Sequence, residues 1–297
     1  MSLTSQIIQY FFTGLTVGSI YALVALGFTM IYNATGIINL AQGEFVMLGG
    51  LLMAFMILGP QIPLPIAFLI AILTVTLVGI LFERLAIHPL PKASILTLII
   101  MTLAGSILLR GVAMVLWGKD PYGFPEFVRG DPVQIFGATI QPQVFWILAI
   151  TILVVFAVRF FFERTWIGKA MSACAFNPLA ARLVGINVRF MVLLSFGLSA
   201  ALGAIAGAMI TPITLMEYDR GPLLALKGFA AAVLGGLGSG TGAIAAGFII
   251  GVVESLGAGL ISSGYKDALA LLVLLFVLWV RPSGLLGSPE ESELRKI

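Results

Sequence analysis

The sequence predicts an all-α membrane protein, a polytopic helical bundle with about eight to nine spans, some of them short or broken. Three observations predict it. Of 297 residues, 60% are apolar and only 10% are charged, against about 45–50% and about 25% in a soluble domain. The mean hydropathy is +1.12. The apolar residues gather into nine stretches, most of them near the roughly 20 residues that a helix needs to cross hydrocarbon. Twenty-nine charged residues cannot cover a soluble surface of this size, which argues against a soluble enzyme, a disordered chain and a nucleic-acid binder. A net charge of +3 is too small to signal a basic patch. The single cysteine, Cys174, excludes an internal disulfide, and the single histidine, His88, argues against a His-based metal centre.

The first span covers residues 9–32. Its flank MSLTSQIIQYFF has no basic residue, and no small-residue cleavage site follows, so it reads as a permanent span rather than a signal peptide. The second covers 38–58. The third follows Pro63 and Pro65 and ends near Phe82. Spans four, five and six cover 95–116, 144–161 and 191–212. A shorter apolar piece covers 222–234, and stretches at 243–261 and 268–280 follow. The last is short, but Lys266 and Arg281 can snorkel at its ends. Residues 1–297 read as a single transmembrane domain.

Lys and Arg set the orientation. Arg159, Arg164, Lys169, Arg182 and Arg189 cluster around the segment between spans five and six, opposed only by Glu163, so this segment is cytoplasmic. Arg84 and Lys92 lie on the same side. Residues 117–143 balance Lys119 and Arg129 against Asp120, Glu126 and Asp131, and go outside. With Arg281, Arg295 and Lys296, ten of the sixteen basic residues are inside. Arg110 falls within span four. Lys119, Arg129, Arg220, Lys227 and Lys266 are assigned outside. The N-terminus is then outside, and the tail is inside provided that 222–234 crosses; if this piece is re-entrant, the tail changes sides.

Three glycine pairs, Gly14/Gly18, Gly203/Gly207 and Gly247/Gly251, are spaced four apart and read as sites of close helix packing. Two breaks carry more information. Residues 33–45 (NATGIINLAQGEF) hold Asn39, Gln42, Gly43 and Glu44 without a basic residue. Residues 214–221 and 235–243 flank the short apolar piece. Broken helices at membrane depth need protein or a water-filled path beside them, and in transporters they point to the substrate route. The arrangement is compatible with an inverted repeat, though residue similarity is too slight to claim one. Ordinary interfacial loops are the alternative. Among intramembrane charges, Glu44 is the functional candidate. Glu254 is either an interhelical tether or a path-lining group, and Arg110 is expected to snorkel outward.

Catalytic chemistry is missing from the inventory. The two Gly-Lys pairs, Gly118-Lys119 and Gly168-Lys169, do not complete a P-loop. Ser239 matches a serine nucleophile only superficially, because His88 lies in a cytoplasmic loop far along the chain. A non-enzymatic transport or channel protein without a cofactor remains.

The cytoplasmic segment TWIGKAMSACAFNPLAARLVGINV (165–188) is the most distinctive. Ala173, Phe176, Ala180, Leu183 and Val184 line one face of short helices, with Asn177-Pro178 as turn and helix start. Small residues, including Cys174, Ala181 and Gly185, suit a close fit into a cleft. A helix lying on the membrane surface is the alternative.

Four stretches in order, GLTVGSIYALVALGFTMIYNATGIINLAQGEFVMLGG (14–50), ACAFNPLAARLVGIN (173–187), FGLSAALGAIAGAM (196–209) and VLGGLGSGTGAIAAGFIIGVVES (233–255), resemble the permease subunits of branched-chain amino acid ABC importers of the LivH type. The resemblance implies a bacterial inner-membrane protein. Its partners would be a second permease of the LivM type, two ATPase subunits and a periplasmic binding protein that delivers the substrate. Related permeases carry urea, amides or aromatic carboxylates. The resemblance also makes residues 163–190 an ATPase-coupling segment, with Ala173, Phe176, Asn177, Pro178, Ala180, Ala181, Leu183 and Gly185 at the contact. Importer permeases generally have Glu-Ala-Ala there. This chain has Ser172-Ala173-Cys174, so no contact of that glutamate carries over. From another class, an ion-coupled secondary transporter would use Glu44 or Glu254 as its cation site.

The orientation has a direct check. A cysteine introduced at Gly123 is expected to react with an impermeant maleimide from the outside, and one at Asn177 only from the cytoplasm; the reverse pattern would invert the topology.

Overall fold

The computed structural model describes residues 3–90, 93–128, 130–281 and 283–286. Lys92, Arg129, Arg295 and Lys296, given sides above, lie outside the described residues. The chain runs through α1 (Leu3–Thr35), α2 (Gln42–Leu58), α3 (Leu64–Phe82), a π-helical turn (Glu83–Ile87) and α4 (Ile95–Trp117). A hairpin of β1 (Val133–Ile135) and β2 (Ala138–Ile140) precedes α5 (Pro142–Arg164). Then come α6 (Trp166–Phe176), α7 (Pro178–Leu183), α8 (Val188–Thr214), α9 (Gly221–Gly235), α10 (Gly240–Leu260) and α11 (Lys266–Val280). Among the described residues, seven helical stretches are long and apolar enough to cross a membrane, while α2 and α9 are shorter apolar helices. This is a polytopic helical membrane bundle.

Two details differ from the sequence reading. α2 starts at Gln42 rather than residue 38, because Asn39 and Leu40 belong to the break and are bonded there. The β-hairpin falls in what read as plain loop. Its turn residues, Phe136 and Gly137, both have positive φ, the geometry of a tight two-residue hairpin. The hairpin is tied to α1, where Gln9 Oε1 accepts from Thr139 N at 2.9 Å.

Contacts group the helices into two interleaved units. The first holds Met1–Leu26, Pro125–Leu153 and Lys227–Ile297. Here α1 packs against α10 in antiparallel register. A methyl at Gly14 would sit 2.6 Å from Val252 Cα, one at Gly18 would sit 2.8 Å from Phe248 Cα, and one at Gly247 would sit 2.6 Å from Ala22 Cα. α10 therefore starts on the side where α1 ends. This is the direction that the basic-residue topology requires if residues 222–234 cross. Ser239, considered above as a nucleophile, caps α10 by accepting from Gly242 N at 3.2 Å.

The second unit holds Gly27–Phe124 and Val154–Leu226. Its centre is α2 lying parallel to α8. A methyl at Gly203 would sit 2.8 Å from Phe45 Cβ, one at Gly207 would overlap the Val46 carbonyl, and one at Gly50 would overlap Thr211 Oγ1. α3 adds Phe82, stacked on Phe196 at 6.1 Å between centroids. The loops after α4 and α8 exchange two backbone hydrogen bonds, Tyr122 N to Met216 O (2.8 Å) and Met216 N to Tyr122 O (2.7 Å). Both loops thus end on one side, as the topology requires. His88 closes the π-helical turn, with its Nδ1 3.5 Å from Glu83 Oε1.

All three glycine pairs thus serve close backbone approach, which is how helices associate where lipid gives no hydrophobic drive. Gly207→Ala is expected to destabilise by about 1–3 kcal/mol, because its obstacle is backbone and cannot rotate away. Gly111→Ala, where a methyl meets nothing within 4 Å, is expected to be neutral. Thermal unfolding in detergent compares the two.

Candidate functional site

In the second unit, α1 stops at Thr35 and the chain turns at Gly36, whose φ is +71°. Asn39 Oδ1 accepts from Ala41 N at 3.1 Å, and Leu40 N donates to Thr102 Oγ1 of α4 at 3.1 Å. Gln42 then opens α2. Its Nε2 donates to the Ser199 carbonyl at 3.1 Å, and the Ser199 hydroxyl donates either to Gln42 Oε1 (2.5 Å) or to the Gly27 carbonyl (2.8 Å). Gly27 lies well before the end of α1, and Ser199 lies midway along α8. The start of α2 is therefore level with the interior of long helices rather than with their ends. Asn39, Gln42, Gly43 and Glu44 come together here and are all buried.

Glu44 is the charged member. Ser106 donates to its Oε1 at 2.7 Å, and Arg110 Nε lies 3.4 Å from the same oxygen. Among the described residues, Glu44 Oε2 and Asn39 Nδ2 have no hydrogen-bond partner. Oε2 lies against Gly221, the first residue of α9, where a methyl would overlap it. A methyl at Gly43 would overlap the Gly221 carbonyl. Glu44 is thus beside two helix N-termini, its own and that of α9, where partial positive charge favours a carboxylate. Arg110 does not snorkel outward as expected; its guanidinium turns to Glu44, the available counter-charge at that depth. Sequence reasoning missed Thr102 and Ser106. The signal was there: Thr102, Ser106 and Arg110 are spaced four apart and form one polar stripe on α4.

Glu254 belongs to the first unit and has a separate set of partners. Tyr21 OH donates to its Oε2 at 2.9 Å. Lys227 Nζ and Lys266 Nζ lie 2.8 Å and 3.1 Å from its Oε1. Lys227 also reaches Asp267 Oδ1 at 2.6 Å and lies 5.5 Å from the centre of the Tyr21 ring. Of the two readings open for Glu254, this geometry is that of the tether. It also corrects the assignment of Lys227 to the outside. Lys227 is buried within α9, and a lone lysine inside an apolar stretch was itself the sign that a partner was needed.

The segment expected to dock a partner is two short helices. Thr165 caps α6, accepting from Gly168 N at 3.0 Å. Asn177 caps α7, accepting from Leu179 N and Ala180 N, both at 3.0 Å, with Pro178 in the first turn. Gly185, at φ +87°, ends α7: its N–H bonds Arg182 O, and Ile186 N bonds Ala181 O, both at 3.0 Å. That is the glycine-terminated helix end that a residue with a Cβ adopts only under strain. Ala173, Phe176, Asn177, Pro178, Ala180, Leu183 and Gly185 are exposed, and Leu183 is 89% so. Ala181 is not; it is 3% exposed and packs with Met171, Cys174, Val188 and Met191. Its small size serves the fit of the segment on its own protein. Burial also pushes the Cys174 thiol up, outweighing the opposite pull of Arg182.

The two alanines therefore separate. Ala181→Trp is expected to lower the thermal midpoint of the isolated chain, since overpacking costs about 1–3 kcal/mol or more. Ala180→Trp is expected to leave that midpoint unchanged and to act only on whatever docks there. Differential scanning fluorimetry in detergent reads the contrast.

The family described as "Branched-chain amino acid transport system / permease component" matches residues 10–278. The chain is 36% identical to the high-affinity branched-chain amino acid transport system permease protein BraD of Pseudomonas aeruginosa, covering 95% of this chain and 96% of that protein. It is 34% identical to LivH of Escherichia coli K12, a permease of the same description, over the same shares. At 30% identity it also resembles the ribose import permease RbsC of Haemophilus influenzae, covering 88% of this chain and 81% of RbsC.

Proposed function

The chain belongs to the family of permease components of branched-chain amino acid transport systems, and from this premise we propose that it is the membrane subunit of an ABC importer in the bacterial inner membrane. In this reading a periplasmic binding protein delivers branched-chain amino acids. A second permease of the LivM type completes the path, and two separate ATPase subunits drive the cycle. Residues 1–297 act as one permease domain, with 163–190 as its coupling segment.

The observation that carries the reading is the two-helix segment. Its underside is locked to α8 through Ala181, Cys174, Met171, Val188 and Met191, while Phe176, Leu179, Ala180, Leu183 and Val184 are exposed. A rigid helix pair with an exposed apolar face suits the transmission of motion from a cytoplasmic partner. The names of BraD and LivH support an amino acid as cargo. The more distant likeness to RbsC fits a framework that hosts other solutes when a different binding protein selects them.

The break around Glu44 is the proposed path-lining group. A zwitterion needs a partner or water for each of its charges inside lipid. Glu44 and Arg110 supply both signs, and Gly43 and Gly221 let the first turn of α9 close on the carboxylate. Gln42 is committed to Ser199 and fixes the depth of the group. Of the two sites open to the ion-coupled alternative, Glu254 already has two ammonium groups beside it, those of Lys227 and Lys266.

The test is reconstitution. Liposomes holding this chain with the second permease and both ATPases are expected to take up leucine when ATP and the binding protein are supplied. The chain alone under an ion gradient is expected to take up none, and uptake there would overturn the importer reading. Within the working assembly, Glu44→Gln keeps size and hydrogen bonding but removes the charge. It is expected to slow transport several-fold while affinity for the binding protein is unchanged. Glu44→Leu is expected to be worse, because it leaves the half-buried Arg110 without its counter-charge at membrane depth. Wild-type rates in both variants would remove Glu44 from the path.

A further inference from the structure

α9 is an unlikely helix to stand in a membrane by itself. It has 15 residues, about 22 Å at 1.5 Å per residue, against about 30 Å of hydrocarbon. Lys227 lies near its middle, where a charge is costly and faces a partner rather than lipid. Two independent sets of contacts relieve these defects, and both come from chain that follows α9. The first is electrostatic. Glu254 of α10 and Asp267 of α11 lie 2.8 Å and 2.6 Å from Lys227 Nζ, and Lys266 brings the group to two cations and two carboxylates. The second is at the C-terminal end of α9, where a helix leaves carbonyls without intrahelical donors. Leu285 N donates to the Leu234 carbonyl at 2.7 Å, and Leu286 N donates to the Gly235 carbonyl at 3.1 Å. From earlier in the chain, Tyr21 lies beneath Lys227, Val24 packs on Gly228 and Glu44 on Gly221, but the carboxylates that meet Lys227 are those of α10 and α11.

We infer that α9 is a conditional crossing: it becomes a stable transmembrane helix only once α10 and α11 have inserted and supplied the counter-ions of Lys227. Glu254 and Asp267 are then positioning residues for α9 rather than contacts for the cargo. The dependence runs backward along the chain, since a segment made earlier waits for one made later. This also accounts for a lysine in so short a helix. Lys227 ties α9 to one register against α10 and α11, which an apolar side chain would not specify. The inference is independent of what the protein transports.

Site-directed labelling of the full chain in native membranes tests it, in a Cys174→Ser background. Reporters are Asp219→Cys before α9 and Thr241→Cys after it, both exposed positions. With Lys227, Glu254 and Asp267 intact, an impermeant maleimide is expected to reach the two reporters from opposite sides. With Glu254→Gln and Asp267→Asn together, either a substantial fraction of chains should label at both reporters from one side, or the amount of membrane-inserted chain should fall several-fold. Adding Lys227→Met should restore opposite-side labelling and amount, because α9 then carries no cation to neutralise, while the exposed Lys266 reaches water without a partner. Unchanged labelling and amount in the double variant would overturn the inference. So would failure of Lys227→Met to rescue it, since the carboxylates would then matter for some other reason.

Discussion

Inside hydrocarbon a peptide group or a charge finds no water to bond, and the described breaks and intramembrane charges of this chain are met largely by its own side chains and backbone. Where α1 gives way to α2, the exposed backbone is met by a side chain: Leu40 N by Thr102 Oγ1, and Ala41 N by Asn39 Oδ1. Where α9 ends, the last carbonyls are met by Leu285 and Leu286. The intramembrane charges obey the same rule. Glu44 has Ser106 and Arg110, while Glu254 and Asp267 have Lys227 and Lys266. An unpaired charge there would have to be neutralised or carried to water.

The constraint reaches the glycines as well. Lipid tails are as apolar as leucine, so helices in a membrane are held by close packing and polar contacts rather than by escape from water. Gly207 against the Val46 carbonyl and Gly203 against Phe45 bring α2 onto α8 with almost no space between them. That fit sets the height of α2 and hence the height of Glu44. Gly43 and Gly221 then let the first turn of α9 rest on the carboxylate. A polar group in mid-helix thus depends on a run of residues with no side chain at all.

Outside the spans the physics changes. α6 and α7 are short, and short helices are marginal without caps and tertiary packing. Thr165, Asn177 and Pro178 start them, Gly185 ends the second, and Met171, Cys174, Ala181 and Met191 anchor their underside. The face left over carries Phe176, Leu179 and Leu183 in the open. A rigid mount with an apolar outer surface is consistent with the division of labour in an importer, where the chain that forms the path leaves ATP chemistry to others.

Much of the architecture was written in the sequence, because a bilayer reads composition directly. Hydropathy located most of the spans to within a few residues, and Asn177 and Pro178 acted as helix start signals by local backbone chemistry alone. The glycine pairs were legible as packing for the same reason: their spacing puts them on one helix face whatever they meet. Tertiary structure decided which residues meet across the helices. On paper Arg110 was expected to reach the interface, and only α2 beside α4 supplies the carboxylate that turns it inward. Ala181 and Ala180 are chemically identical neighbours, and only the packing of α7 over Cys174 and Met191 makes one core and the other surface. Lys227 read as one more external charge until α10 and α11 placed two carboxylates around it. Spans follow from transfer free energies that each residue carries with it, whereas a pair of charges forty positions apart has no energy until the chain has folded to bring them into contact.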